Sequence, residues 1–231
     1  MSPWMNHEPF DWQAEVDNAL GEDVGTGDLT APMFGPNKYA DWYIESQAEG
    51  VLCGVGICEY LFDPQNEEEE LEVVKTDGTK LKPQTTIIRG RTQVSRLLAC
   101  ERTALNFVMH LSGVASLTAK FVTEVTGTQA KIVDTRKTLP GLRSLQKYAV
   151  RCGGGYNHRM GLYDAAMLKD NHIRAYGSIT KAVAACRKQL SHMAKIEVEC
   201  ESREMVAEAV KSGCEVIMLD NMAPDSMRAI V

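Results

Sequence analysis

The sequence predicts an α/β protein in which a small β-rich domain with flanking helices is followed by a partial α/β barrel. Three observations carry this. Short β-branched runs crowd residues 40–92, helical periodicity takes over across 94–125, and beyond it four short apolar runs end in charged residues.

Taken in order, Phe10, Val16 and Leu20 have helical spacing, so a helix is expected over 8–22, stopping at Gly21 before the glycine-rich turn GEDVGTGDLTAP. The runs DWYIESQAEGVLCGVG, LEVVKT and TTIIRGRT read as a small sheet, with Asp77-Gly78 as the turn between the last two. The acidic run 67–70 reads as a solvated loop. Across 94–125, Leu97, Leu98, Leu105, Val108, Met109 and Val114 follow the period of buried helix, and Gly113 divides the stretch into two helices. The four runs that follow are AKIV (130–133), AAML (165–168), KIEVEC (195–200) and EVIML (215–219). Asp134, Arg136 and Lys137 follow the first, Lys169-Asp170-Asn171 the second and Asp220-Asn221 the last. In α/β barrels such residues point into the mouth where chemistry happens. Glu197 and Glu199 alternate with Ile196, Val198 and Cys200, which puts both carboxylates on one strand face, with Glu199 nearer the end. The competing reading is an edge strand with its acids in solvent. From Gly127 to Val231 there are 105 residues. At roughly 25–30 residues per βα unit that is too few for a closed barrel, so the barrel reads as incomplete.

Composition narrows the function. The 231 residues carry a net charge of −6, which argues against nucleic acid or an anionic membrane surface as partner. No export signal and no stretch of 18 apolar residues is seen, so a soluble, cytoplasmic protein is expected. Seven scattered cysteines without C-x-x-C fit a reduced compartment, and Cys53 with Cys58 lacks the histidine a zinc site would want. Yet residues 134–171 hold seven Lys and Arg against three acids, a local +4 that leaves −10 for the rest. That pattern argues for a localised anionic small-molecule site. Arg136, Lys137, Arg159 and Lys169 are its candidate cations, while Arg143 and Lys147 are expected to face solvent on a helix over 141–151. The triplet 153–155 is a candidate anion nest, and His158 stands beside Arg159. Glu199 and Asp220 suit a divalent cation or sugar hydroxyls. The ligand so described carries both phosphates and carboxylates.

The strings EDVGTGDLT (22–30), ERTALNFVMHLSGVAS (101–116), VDTRKTLPGLRSLQKYAVRCGGGYNHRMGLYDAAMLKDNHI (133–173), IEVECES (196–202) and VIMLDNM (216–222) closely resemble the quinolinate phosphoribosyltransferase family, the decarboxylating nicotinate-nucleotide pyrophosphorylases of NAD biosynthesis. The resemblance implies an N-terminal α/β sandwich over 1–115, a C-terminal α/β barrel over 116–231, and a homodimer or higher homo-oligomer. It assigns quinolinate to Arg136, His158, Arg159 and Lys169, with Arg102 supplied by the neighbouring subunit. Lys137 falls between quinolinate and phosphoribosyl pyrophosphate, and Glu199 and Asp220 hold ribose hydroxyls and Mg²⁺. One alternative is an inactive shortened form that serves as an interaction or regulatory subunit. A second is a barrel lyase with Lys169 as a Schiff-base nucleophile.

Overall fold

The computed structural model describes residues 12–231 and folds as two compact units, the first running to His158 and the second from Arg159 to Val231. In the first unit, helix α1 (Trp12–Val24) buries Val16. It passes through Gly21 without stopping and ends before Gly25, whose φ of +54° an L side chain rarely adopts. Phe10 and the rest of the expected start lie outside the described residues.

The β-rich segment supplies β1 (Tyr39–Ser46), β2 (Gly50–Val51), β3 (Glu70–Val73), β4 (Lys80–Leu81) and β5 (Thr85–Gln93). β1, β5 and β3 form an antiparallel sheet in that order, and β2 pairs with β4. The Asp77-Gly78 turn is present, with Gly78 at φ +84°, but it leads into β4 rather than straight into β5. Asp77 also works inside the fold: its carboxylate accepts the Val55 N–H at 3.0 Å and the Tyr148 hydroxyl at 2.9 Å. Burial pushes this carboxyl up from its ordinary range.

The acidic run is not all loop. Glu69 is buried, accepts the Gln65 and Gln93 amides, and ion-pairs with Arg96. Burial pushes its carboxyl up, but these hydrogen bonds and the guanidinium outweigh that and hold it below the usual range.

The two helices expected over 94–125 are one: α3 (Val94–Glu124), with Gly113 exposed in mid-helix. A glycine there costs about 1 kcal/mol against alanine, which 31 residues of packed helix absorb. Its buried stripe is Cys100, Ala104, Phe107, Val108, Leu111 and Ala115, so the expected Leu98 and Met109 are instead exposed. By length and composition α3 could cross a bilayer, yet this stripe packs into a core with α2 (Val55–Leu61) and α4 (Arg143–Cys152). Ser112 and Ser116, one turn apart on α3, accept the amides of Cys53 and Val51 at 3.0 and 2.8 Å and so pin the β2 segment to the helix.

The second unit comprises β6 (Ala166–Leu168), α5 (Asp170–Tyr176), α6 (Ile179–Gln189), β7 (Ile196–Cys200), α7 (Arg203–Ser212), β8 (Val216–Leu219) and α8 (Pro224–Arg228). The strands are parallel in the order β6-β7-β8. Ile196, Val198 and Cys200 pack with Ile179, Ala182, Val183 and Ala209, which makes β7 the central strand and disposes of the edge-strand reading. Ser178 and Ser202 cap α6 and α7 by accepting the Lys181 and Met205 amides.

The expected strand 130–133 does not form. Ile132 accepts the Tyr156 amide at 2.8 Å and Asp134 donates back to Tyr156 at 3.1 Å, leaving a single parallel bridge between Val133 and Tyr156. Barrel closure is not seen among the described residues, whose parallel sheet has three strands.

Because the Glu69 carboxyl titrates low in the folded chain, its stabilisation is present above the unfolded value near 4.3 and is lost as pH falls through the lower folded value. Glu69→Gln is therefore expected to lower Tm at pH 7, by the roughly 1–3 kcal/mol of leaving Arg96 and two amides short of a charged acceptor. Melts of both proteins from pH 7 to pH 3 should show the gap narrow toward the acid end.

Candidate active site

The charged residues singled out in the sequence fall partly in each unit. In the first, Asp134 ends the bridged segment and its carboxylate is buried against Lys147 of α4. Lys147 was expected in solvent; its side chain is 1% exposed. It donates to Asp134 and, at 2.9 Å, to the His158 carbonyl. Asn157 donates to Asp134 at 2.5 Å and to the Lys147 carbonyl at 2.8 Å, and the His158 amide reaches Asp134 at 2.9 Å. No short-range pattern announces this cluster, because Lys147 shares its helix with Arg143 and Arg151 and its partner lies 13 residues upstream.

Arg136 and Lys137 follow Asp134 on the loop. The Arg136 Nε is buried without a hydrogen-bond partner, as are those of Arg96 and Arg151, so its N–H is open to an acceptor from outside the chain. Lys137 is exposed, and its backbone N–H is fixed by the Thr135 hydroxyl at 3.0 Å. Arg102 stands on the exposed side of α3 in a cleft of about 600 Å³ shared with Glu15, Glu22, Asn106 and His110. Among the described residues no hydrogen bond or ion pair engages its guanidinium.

The glycine triplet does not form an anion nest. Gly154 (φ +86°) and Gly155 donate to Arg151 and Val150, Gly153 donates to Ala149, and the Tyr156 amide is spent on Ile132. The triplet instead caps α4 in the left-handed manner and lets it lie close to α3. A Cβ on Gly153 would collide with the Ala115 carbonyl, and one on Gly155 would sit 2.8 Å from Val150.

In the second unit three neighbouring strands present polar groups at their C-terminal ends. Leu168 is paired with Val198, so Lys169, one residue beyond, stands beside Glu199; Glu199 is paired with Met218, and Asp220 follows two residues later on the same face. Lys169 Nζ donates to both Glu199 oxygens, at 3.0 and 3.1 Å, with the lysine 44% and the glutamate 16% exposed. Asp220 accepts from Asn221 at 2.9 Å through one oxygen. Arg159 is half-buried and donates to the Ala165 carbonyl at 2.8 Å. Glu197, expected with Glu199, is buried within the strand.

Two carboxylates on adjacent strand ends fit a hard divalent cation that keeps several waters and shares a substrate's phosphates. Glu199 meets that description once Lys169 moves off its oxygens.

Charged groups at adjacent parallel strand ends, with Arg159 on the loop before β6, are the arrangement of an α/β enzyme. Comparison with known proteins gives it a family. Residues 28–112 match the quinolinate phosphoribosyl transferase N-terminal domain and residues 114–231 the C-terminal domain. A probable nicotinate-nucleotide pyrophosphorylase [carboxylating] of Bacillus subtilis is 44% identical over 90% of this chain and 72% of its own length. One from Synechocystis is 39% identical over 100% of this chain and 77% of its own. Among solved structures, NadC from Streptococcus pyogenes matches with a TM-score of 0.90 at 40% identity, over 96% of this chain and 79% of that one. The nicotinate-nucleotide pyrophosphorylase from Ehrlichia chaffeensis gives 0.91 at 39%, over 97% and 82%. The chain belongs to the quinolinate phosphoribosyl transferase family.

Since the amides of the triplet are already paired, Gly153→Ala is expected to act on stability alone: about 1–3 kcal/mol lost to the collision with α3, read as a lower denaturation midpoint. Pyrophosphate affinity, measured by calorimetry on the folded variant, should be unchanged.

Proposed function

We propose that this protein transfers the phosphoribosyl group of phosphoribosyl pyrophosphate to the ring nitrogen of quinolinate, with loss of CO₂, giving nicotinate mononucleotide and pyrophosphate for NAD biosynthesis. The observation that carries the reading is the match of nearly the whole chain to relatives named for this reaction's product, at 39–44% identity.

In this reading Arg136, His158, Arg159 and Lys169 take the two carboxylates of quinolinate, and Arg102 joins them from a second copy. The orphaned Arg136 Nε supports the first assignment. Planar guanidinium groups suit carboxylates because they can offer two parallel donors. Lys137 stands between the diacid and the phosphoribosyl donor, where a long, exposed cation can follow the departing charge. Glu199 and Asp220 hold the ribose hydroxyls and, as the pyrophosphate leaves and positive charge builds on the ribose, stabilise that charge directly. They would also hold Mg²⁺, which when bound supplies charge neutralisation for the leaving pyrophosphate. Attack makes the ring nitrogen cationic, that cation stabilises the carbanion left by CO₂, and a proton from solvent replaces the lost carboxylate on the ring carbon; the protein's part is to hold the diacid in line.

A homodimer is supported by α3, where Leu98, Met109, Leu117 and Phe121 are exposed along the helix that also carries Arg102. A cytoplasmic location is supported by seven free cysteines.

The decisive assay mixes the chain with quinolinate, phosphoribosyl pyrophosphate and Mg²⁺ and follows CO₂ and nicotinate mononucleotide; no turnover above background would overturn the reading. Arg159→Lys, which removes the planar fork, should weaken quinolinate at least tenfold in calorimetry. Asp220→Asn should instead raise the KM for phosphoribosyl pyrophosphate and leave quinolinate affinity within about twofold, tenfold being 1.4 kcal/mol. Equal loss of both ligands would count against the division of roles.

Arg102 acting across subunits makes a separate claim. Arg102→Ala and Lys169→Ala, each inactive, should regain activity when mixed under subunit exchange, because a hybrid dimer holds one intact site. Mixtures that exchange yet stay inactive would return Arg102 to its own subunit.

A further inference from the structure

We infer that Lys147 and Asp134 are positioning residues for quinolinate, a buried ion pair that fixes the loop carrying Arg136 and Lys137 to the backbone of His158. The inference deepens the functional reading above and rests on it.

All of its parts lie in the first unit. The Asp134 carboxylate receives the Lys147 ammonium and the His158 amide on Oδ1 and the Asn157 side chain on Oδ2. The same ammonium donates to the His158 carbonyl. One peptide unit of His158 on each side is therefore held, its N–H by the aspartate and its C=O by the lysine. Asn157 adds a bond to the Lys147 carbonyl, which ties the cluster to the last turns of α4. Asp134 is two residues from Arg136 and three from Lys137, so the group that holds His158 also sets where that loop departs.

The energetics favour placement over stability as the role. Removing an ammonium and a carboxylate from water costs several kcal/mol for each ion, and a well-packed neutral pair of similar volume usually serves stability as well or better. An apolar pair would let α4 pack on this segment. It would not hold both polar groups of the His158 peptide, nor place a carboxylate within reach of the Asn157 amide. Charge here provides direction that volume alone does not.

The test separates the two roles. Lys147→Met alone strands a buried carboxylate and is expected to lose stability heavily. The double variant Asp134→Asn/Lys147→Met removes both charges together and should melt cooperatively close to the parent. In that variant, calorimetric Kd for quinolinate should rise tenfold or more and kcat should fall, while KM for phosphoribosyl pyrophosphate, which Lys137 shares with Glu199 and Asp220, rises by a clearly smaller factor. Recovery of quinolinate affinity together with stability, or equal weakening of both substrates, overturns the inference. Should the double variant fail to fold, Asn157→Ala decides, since it leaves the ion pair in place and removes one arm of the clamp. A several-fold rise in quinolinate Kd at near-parental Tm supports the clamp, and an unchanged Kd overturns it. A parent protein that binds neither substrate would sink the functional reading itself, an outcome distinct from a parent that binds both beside variants that match it.

Discussion

A lysine with 1% of its side chain exposed has to be answered by an opposite charge, and the path of the chain from 130 to 158 is organised around that requirement. Asp134 supplies the charge, at the end of a segment that a single parallel bridge holds to Tyr156. The bridge in turn needs the chain to reverse tightly after α4. The glycine triplet allows this, with Gly154 in the left-handed region and Gly153 packed where any Cβ would strike α3. Glycine conformation, bridge and ion pair are thus one arrangement.

The second unit obeys a different logic. Its parallel strands are buried by helices on one face, so Ile196, Val198 and Cys200 must be apolar, and the residues between them are released for other uses. Register then does the rest. Because side chains alternate with a period of two, Glu199 on the central strand faces the same way as the residues just beyond β6 and β8, which are Lys169 and Asp220. Three residues far apart in sequence become neighbours through the sheet alone.

What the sequence made legible follows the range of the forces involved. The strand faces of β7 and much of the helical stripe of α3 are set by neighbours within a few residues, and periodicity exposes them. Gly113 misled because a local helix cost of about 1 kcal/mol is small beside the packing of a long helix. Lys147 and Glu69 misled in the same direction: charged residues in a polar stretch read as solvated, and their partners, Asp134 and Arg96, lie 13 and 27 residues away. The triplet failed as a nest because composition shows which amides could bind an anion but not which are already bound. The candidate ligands themselves were legible mainly through resemblance to a family. Arg136, Lys137, Lys169, Glu199 and Asp220 stood out on charge and strand-end position as well, and Arg159 on charge.

The Lys169–Glu199 pair places a constraint on any ligand the site takes. Both glutamate oxygens are occupied by one ammonium, and the glutamate is only 16% exposed, so drawing the lysine away leaves a carboxylate with little water to satisfy it. A diacid alone would gain the lysine at the expense of stranding Glu199. A donor with hydroxyls alone would meet a carboxylate already engaged. In the proposed reaction the two substrates answer each other: carboxylates of quinolinate take Lys169, and ribose hydroxyls or a hydrated cation take the oxygens it leaves. The intramolecular pair keeps Lys169 and Glu199 satisfied when the site is empty, and a ligand set carrying both chemistries can replace it without leaving either charge unmatched.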